Sequence, residues 1–286
     1  MKMGEVVIHP LHLGFMKVCG GPVFGIIPRK IWSQWVQPDE DNRITIGINS
    51  LLIVSKEAKV ILDTGFGDKY NAEALRSYGV TEIKTIAEAI KPLGYYSGDI
   101  THCILSHLHL DHSGGCTKKE SGKIVPAFPN AVYYIQEKEY DDAISPTMRT
   151  RATYLPENFE PLYEEGKLHL MAGLETILPF LSGYPVEGHV NAMNIIRIET
   201  GERTIYYPGD LIGQKELVHP LCNSAYDYYP LKSEQAKVEL LERCLFENAW
   251  LFLPHDPSCS FFSVEKHGEY TYVLHVVNQE NPFENR

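Results

Sequence analysis

The chain opens on short runs in which apolar residues alternate with polar ones or follow one another for a few positions, each run bounded by turn-forming residues. Such runs read as strands, and residues 6–9, 23–27, 44–48, 50–54 and 60–62 fit the pattern. Over 71–93 the period changes. Ala, Leu and Ile recur at helical spacing up to Gly94, which predicts one helix. Strand signals return at 101–105 and 131–135, and a helix starts over 137–144. Further on, 168–171 and 176–178 read as strands, while 194–199 and 204–207 flank a turn at Gly201 and Glu202 as a hairpin. Residues 233–247 predict an amphipathic helix with Val238, Leu241 and Leu245 on one side, and 250–253 a closing strand.

Strands and helices therefore alternate in blocks, which predicts an α/β fold of two sheets covered by outer helices. No internal repeat, low-complexity tract or long linker interrupts the chain, so residues 1–286 are expected to form one domain.

Composition narrows the partners. The chain has 26 basic against 37 acidic side chains and a formal charge of -11. That argues against nucleic acid, whose binders cluster Lys and Arg. No stretch approaches the roughly 18–20 apolar residues of a membrane span, and the N-terminus has no signal-peptide core. The six cysteines (Cys19, Cys103, Cys116, Cys222, Cys244, Cys259) form no CxxC pair and read as reduced thiols. The expectation is a cytoplasmic protein that acts on a small molecule and binds no membrane.

Candidate chemistry is concentrated in Ile104-Leu-Ser-His-Leu-His-Leu-Asp-His-Ser-Gly-Gly115, immediately after a strand. On an extended segment His107 and His109 point the same way and can reach one metal ion. Asp111 and His112 fall where Ser113-Gly-Gly starts a turn, aimed at a neighbouring point. Imidazole and carboxylate suit zinc and related divalent ions. Leaving this many ionisable groups unpaired beside a core would cost on the order of several kcal/mol. His189, Asp210 and His255 each lie in a short, turn-rich context at a strand end. Alone, each reads as a turn residue; after the cluster, they complete a seven-ligand set.

The HLHLDH motif, preceded by Ile61-Leu-Asp-Thr-Gly65 and followed by Gly188-His189, Pro208-Gly-Asp210 and the late His255, resembles the metallo-β-lactamase superfamily from about Ser50 to His255. The resemblance implies a four-layer αββα sandwich with the metals at one edge of the two sheets. It implies His107, His109 and His189 on one metal, Asp111, His112 and His255 on the other, Asp210 bridging both, and Asp63 as a structural acid beneath. The implied cofactors are two Zn2+ per chain, with Fe or Mn as alternatives.

Two metals a few ångströms apart hold a bridging hydroxide, and a nearby carboxylate, Asp111 or Asp210, shuttles the proton. The expected activity is hydrolysis of a small ester or lactone, with acyl-homoserine lactones and phosphotriesters among the candidates. Asp210 stands where true β-lactamases of the superfamily carry Cys or lack the bridge. Nuclease branches add domains and basic surface, glyoxalase-type thioesterases a longer C-terminal helical region than residues 258–286 provide, and flavodiiron relatives a Glu in place of His109. The chain is most similar to the acyl-homoserine-lactone lactonase and methyl parathion hydrolase-like group, which shares a longer N-terminal segment (about 1–45) and the stretch 149–158. It departs at Gly213, where lactonases of the best-known type carry a carbonyl-assisting Tyr. His219, Tyr226, Tyr228 and Tyr229 are the candidates to replace it. Phe24, Trp32 and Trp35 are expected in the substrate pocket, a homodimer contact or the core. Two other functions stay open: an iron-dependent sulfur dioxygenase-like oxidoreductase of the same superfamily, and a catalytically weak metal-binding regulatory protein.

Overall fold

A computed structural model describes residues 1–277. One sheet runs in the order Lys2–Met3, Val6–Cys19, Arg43–Val54, Lys59–Leu62, His102–Ile104, Val132–Gln136, Leu168–Met171, with Val80–Ile83 also paired to Val6–Cys19. The other runs Glu175–Leu178, Leu181–Val186, Met193–Glu199, Thr204–Tyr207, Trp250–Phe252, Phe261–Lys266, Tyr272–Val276.

Side-chain alternation explains the layering. Leu51, Ile53, Leu62 and Ile104 from the first sheet meet Ile205, Tyr207, Phe252 and Phe261 from the second in one buried cluster. Their chain neighbours point outward: Leu52, Ile61 and Cys103 pack against Ile86, Ile90 and Phe159, and Tyr206, Leu251 and Phe262 against Ala236, Leu240 and Cys244 of the helix Pro230–Glu247. Helices outside two facing sheets make the αββα sandwich. No helix among the described residues is long and apolar enough to cross a membrane.

Several expected elements take a different form. The expected helix over 71–93 is two short helices, Ala72–Ser77 and Ile86–Ile90, on either side of the strand Val80–Ile83. Gly79 ends the first of them with φ of 78°, and a Cβ there would fall 2.1 Å from the Lys17 carbonyl oxygen. Asn71 caps the first helix, and Thr85 and Glu88 form a capping box on the second. The strand expected at 23–27 is instead the end of the one-turn helix Gly20–Phe24 and the turn that follows it. Phe24 and Trp32 stack there at 5.2 Å and are fully buried, whereas Trp35 is exposed. The runs 44–48 and 50–54 are one continuous strand, and 6–9 extends to Cys19. In the amphipathic helix the buried line is Ala236, Lys237, Leu240, Leu241 and Cys244, with Val238 and Leu245 half-buried beside it. Lys237 reaches into this layer because its ammonium donates to the carbonyls of Leu217 at 3.0 Å and Cys222 at 2.6 Å. All six cysteines are free. Of the C-terminal segment 258–286, residues 278–286 lie outside the described residues.

The candidate metal centre

Both sheets deliver chemistry at the same edge. In the first, the parallel strands Lys59–Leu62 and His102–Ile104 end at Asp63 and at Ser106-His107. In the second, Leu181–Val186 ends before His189, and the parallel pair Thr204–Tyr207 and Trp250–Phe252 ends before Asp210 and His255. The sheets are stitched beside these residues: Gly47 N donates to the His255 carbonyl at 2.9 Å, and Asn194 N to that of Ser106 at 2.8 Å.

The seven residues singled out in the sequence converge. His107 Nε2 and His189 Nε2 each lie 3.1 Å from His109 Nδ1. His112 Nε2 lies 3.1 Å from His255 Nε2, and Asp111 Oδ2 is 3.8 and 3.6 Å from those two nitrogens. Asp210 spans the groups. Its Oδ1 is 3.2 Å from His112 and 3.0 Å from His255, and its Oδ2 is 3.3 Å from His189.

The outer nitrogens show why these contacts are not ordinary hydrogen bonds. His112 Nδ1 donates to Asp63 Oδ2 at 2.8 Å, His189 Nδ1 to Asp227 Oδ1 at 3.0 Å, and His255 Nδ1 to the Gly47 carbonyl at 2.9 Å. Ser106 Oγ gives its proton to Asp63 Oδ2 at 2.6 Å and so accepts from His107 Nδ1 at 3.0 Å. With those protons placed outside, neutral rings turn lone pairs toward one another and toward a carboxylate. Asp210 Oδ1 is accordingly buried and receives no hydrogen bond. A divalent cation resolves that convergence: tetrahedral zinc with Zn–N of about 2.0–2.1 Å sets its ligand atoms roughly 3.3–3.4 Å apart. The donor set fits a metal, and the outer partners fix each ring's orientation.

Electrostatics agrees. Burial, then the neighbouring His112, holds His107 far below the ordinary imidazole range; burial, then His189, does the same for His109. For His112, His189 and His255 burial also opposes charge, yet Asp210 with Asp111, Asp63 or Asp227 outweighs it. The carboxylates thus call for positive charge at these rings, which a proton meets in the metal-free chain and a divalent cation on neutral rings would meet in its place. Asp210 itself stays ionised, because His255, His112 and His189 overcome the cost of its burial.

Above the cluster opens a cavity of about 430 Å³, bordered by His109, Asp111, Asp210 and His255 on its floor and by apolar residues such as Met16, Ile46 and Phe66 on its walls. Among the candidates for the missing lactonase Tyr, Tyr226 borders this cavity. Tyr228 instead turns its hydroxyl to His109 Nε2 at 3.4 Å and to Tyr154 at 3.3 Å, and His219 and Tyr229 do not line it. Phe24, Trp32 and Trp35 do not line it either, although Val23 does. Sequence reasoning missed Ser106, Asp227, Glu139 and Gln214. Asp227 stands between Tyr226 and Tyr228, two residues weighed above, but nothing local marks it or the others as partners of the site.

Comparison with known proteins shows the family and the fold. The family model described as Metallo-beta-lactamase superfamily matches residues 44–255. An N-acyl homoserine lactonase of Bacillus thuringiensis is 25% identical over 241 residues, covering 81% of this chain and 76% of its own. The crystal structure of a probable metal-dependent hydrolase from Staphylococcus aureus superposes with a TM-score of 0.87 at 27% identity, over 98% of this chain and 100% of that one. A dizinc quorum-quenching lactonase in complex with its product shares the fold, with a TM-score of 0.81 at 21% identity over 98% and 97% of the two chains.

Proposed function

The chain belongs to the metallo-beta-lactamase superfamily, and from that premise we propose that it is a dinuclear zinc hydrolase of small esters or lactones. One observation carries the reading. Asp210 turns one carboxylate oxygen to the His112 and His255 pair and the other to His189, as a ligand shared by two ions would. His107, His109 and His189 would hold one ion, Asp111, His112 and His255 the other.

Bound divalent metals supply Lewis acidity and a nucleophilic water near neutral pH. The chain supplies the rest. Asp210 and Asp111 border the cavity, and one of them would take a proton and pass it to the leaving alkoxide. Apolar walls hold the chain of the substrate and keep bulk water from the reacting bond. Support for lactones among the esters comes from the Bacillus thuringiensis relative named as a lactonase.

The test is metal analysis with turnover. Protein reconstituted with zinc is expected to hold two equivalents and to hydrolyse members of a panel of acyl-homoserine lactones, aryl esters and phosphotriesters. One equivalent of iron with thiol-dependent oxygen uptake would replace this reading by an oxygenase. A metal-replete protein inert to the whole panel would replace it by a regulatory one.

A further inference from the structure

Gln214 borders the cavity, is only 1% exposed, and its side-chain nitrogen Nε2 is buried without any acceptor. Buried amide donors are nearly always paired, so an orphan beside a cavity points to a partner that arrives from outside. The backbone on both sides is pinned. Gly213 O accepts from His255 N at 2.7 Å, Gln214 O from Leu217 N at 2.9 Å, and Lys215 N donates to Asp256 Oδ2 at 3.2 Å. The side chain is thus presented from a rigid segment four residues beyond Asp210.

Gly213, just before it, packs against His255. A Cβ at that position would sit 3.2 Å from His255 Cδ2, so the missing side chain lets the His255 ring pack directly on the backbone. No phenol can act from position 213, and the next residue carries the unused donor.

We propose that the Gln214 amide, shielded in the ligand-free protein, turns into the cavity it borders and donates its N–H to the carbonyl oxygen of a neutral ester or lactone, orienting it over the metal cluster. The assignment rests on the hydrolase reading above. A neutral donor in a largely apolar cavity suits a neutral carbonyl, with the apolar part of the substrate lying toward Met16, Ile46 and Phe66.

The experiment uses the full chain loaded with zinc and compares Gln214→Leu and Gln214→Glu with wild type. N-hexanoyl-homoserine lactone is the substrate probe, and N-hexanoyl-L-homoserine, the product, is the binding probe followed by calorimetry. Both variants are expected to lose at least about tenfold in kcat/KM and Gln214→Leu to bind the product correspondingly more weakly, the size of one lost hydrogen bond. Metal content should be unchanged. The Tm of Gln214→Leu should equal or exceed that of wild type, because removing an unsatisfied amide relieves the free protein. A structural role would instead lower the Tm. Wild-type kcat/KM and product affinity in Gln214→Leu overturn the proposal, as does a loss accompanied by lower Tm or lost metal. A wild type that is inert to this lactone and to the whole ester and phosphotriester panel but binds the product more tightly than Gln214→Leu would sink the hydrolase reading while keeping Gln214 as a ligand-binding residue. A wild type that neither turns over the lactone nor binds the product overturns the Gln214 proposal, and inertness to the whole panel overturns the hydrolase reading with it.

Discussion

Asp63 holds His112 from beneath, its Oδ2 accepting the Nδ1 proton at 2.8 Å while the same oxygen also accepts from Ser106 Oγ at 2.6 Å and Tyr207 OH at 2.8 Å. Asp63 Oδ1 accepts from Ser106 N at 2.7 Å. Four donors thus converge on one buried carboxylate, held in the left-handed region with φ of 53° at the strand end. The relationship fixes which nitrogen of His112 faces the cluster, and it couples that choice to the segment carrying His107.

Asp63→Asn tests this coupling. An amide offers only one acceptor oxygen, so its NH2 group must face a donor, either the Ser106 N–H or the trio on the other side. We expect the affinity for zinc to fall about 10–100-fold, the usual cost of losing an outer partner of a ligand. Titration against a competing chelator reads it. An unchanged zinc affinity would mean that Asp63 serves only the fold.

Asp210→Ala removes the carboxylate that faces both halves of the cluster. The expected outcome is loss of hydrolysis together with fewer than two bound metals, measured by turnover and elemental analysis on the same sample. Normal turnover with two metals bound would refute the shared-ligand role.

His255→Ala and His267→Ala separate the two late histidines. His255 is buried and its Nε2 lies 3.1 Å from that of His112. His267 is exposed, paired with Glu265 at 3.3 Å on the outer hairpin. The first substitution should leave one metal per chain and the second two. The reverse stoichiometry would show that the late ligand lies elsewhere.

Legibility in the sequence follows the range of the interaction. The hairpin around Gly201 was readable because its turn chemistry is local, and the helix over 137–144 because its helix-forming residues, acidic in the first turn, stand together in the chain. The HLHLDH segment was readable because several metal-binding side chains fall within six positions. By contrast, the break at Gly79 depends on the Lys17 carbonyl 62 residues away, and the strand Val80–Ile83 exists because Val6–Cys19 offers it an edge. Phe261–Lys266 and Tyr272–Val276 escaped for the same reason, being strands only by pairing with Trp250–Phe252 and each other. At the site, the convergence of His189, Asp210 and His255 could be anticipated from strand-end position. The outer partners Ser106 and Asp227, and the orphan amide of Gln214, are properties of the packed interior that no spacing encodes.

Glu139→Gln is predicted to flatten the stability of the protein against pH. Glu139 is fully buried, and burial pushes its pKa up to about 8 despite hydrogen bonds from Leu108 N at 2.9 Å and Tyr154 OH at 3.0 Å. Asp142 adds to the rise and His189 opposes it. The folded chain therefore keeps a proton that the unfolded chain, at its ordinary value of 4.5, has already released. Unfolding releases that proton throughout this interval, so it becomes easier as pH rises. The contribution is complete below about 4.5 and is lost as pH climbs through about 8. Glutamine keeps an acceptor for Leu108 and Tyr154 and has no proton to lose. Urea unfolding of both proteins in chelator, at several pH values across this interval, gives the difference directly. The variant should gain on wild type as pH rises and hold a constant advantage above about 8. Groups that do not feel Glu139 titrate alike in both proteins, so the difference between the curves reports on Glu139 together with the His189 charge coupled to it. Parallel curves would mean that Glu139 is ionised in the native state at neutral pH.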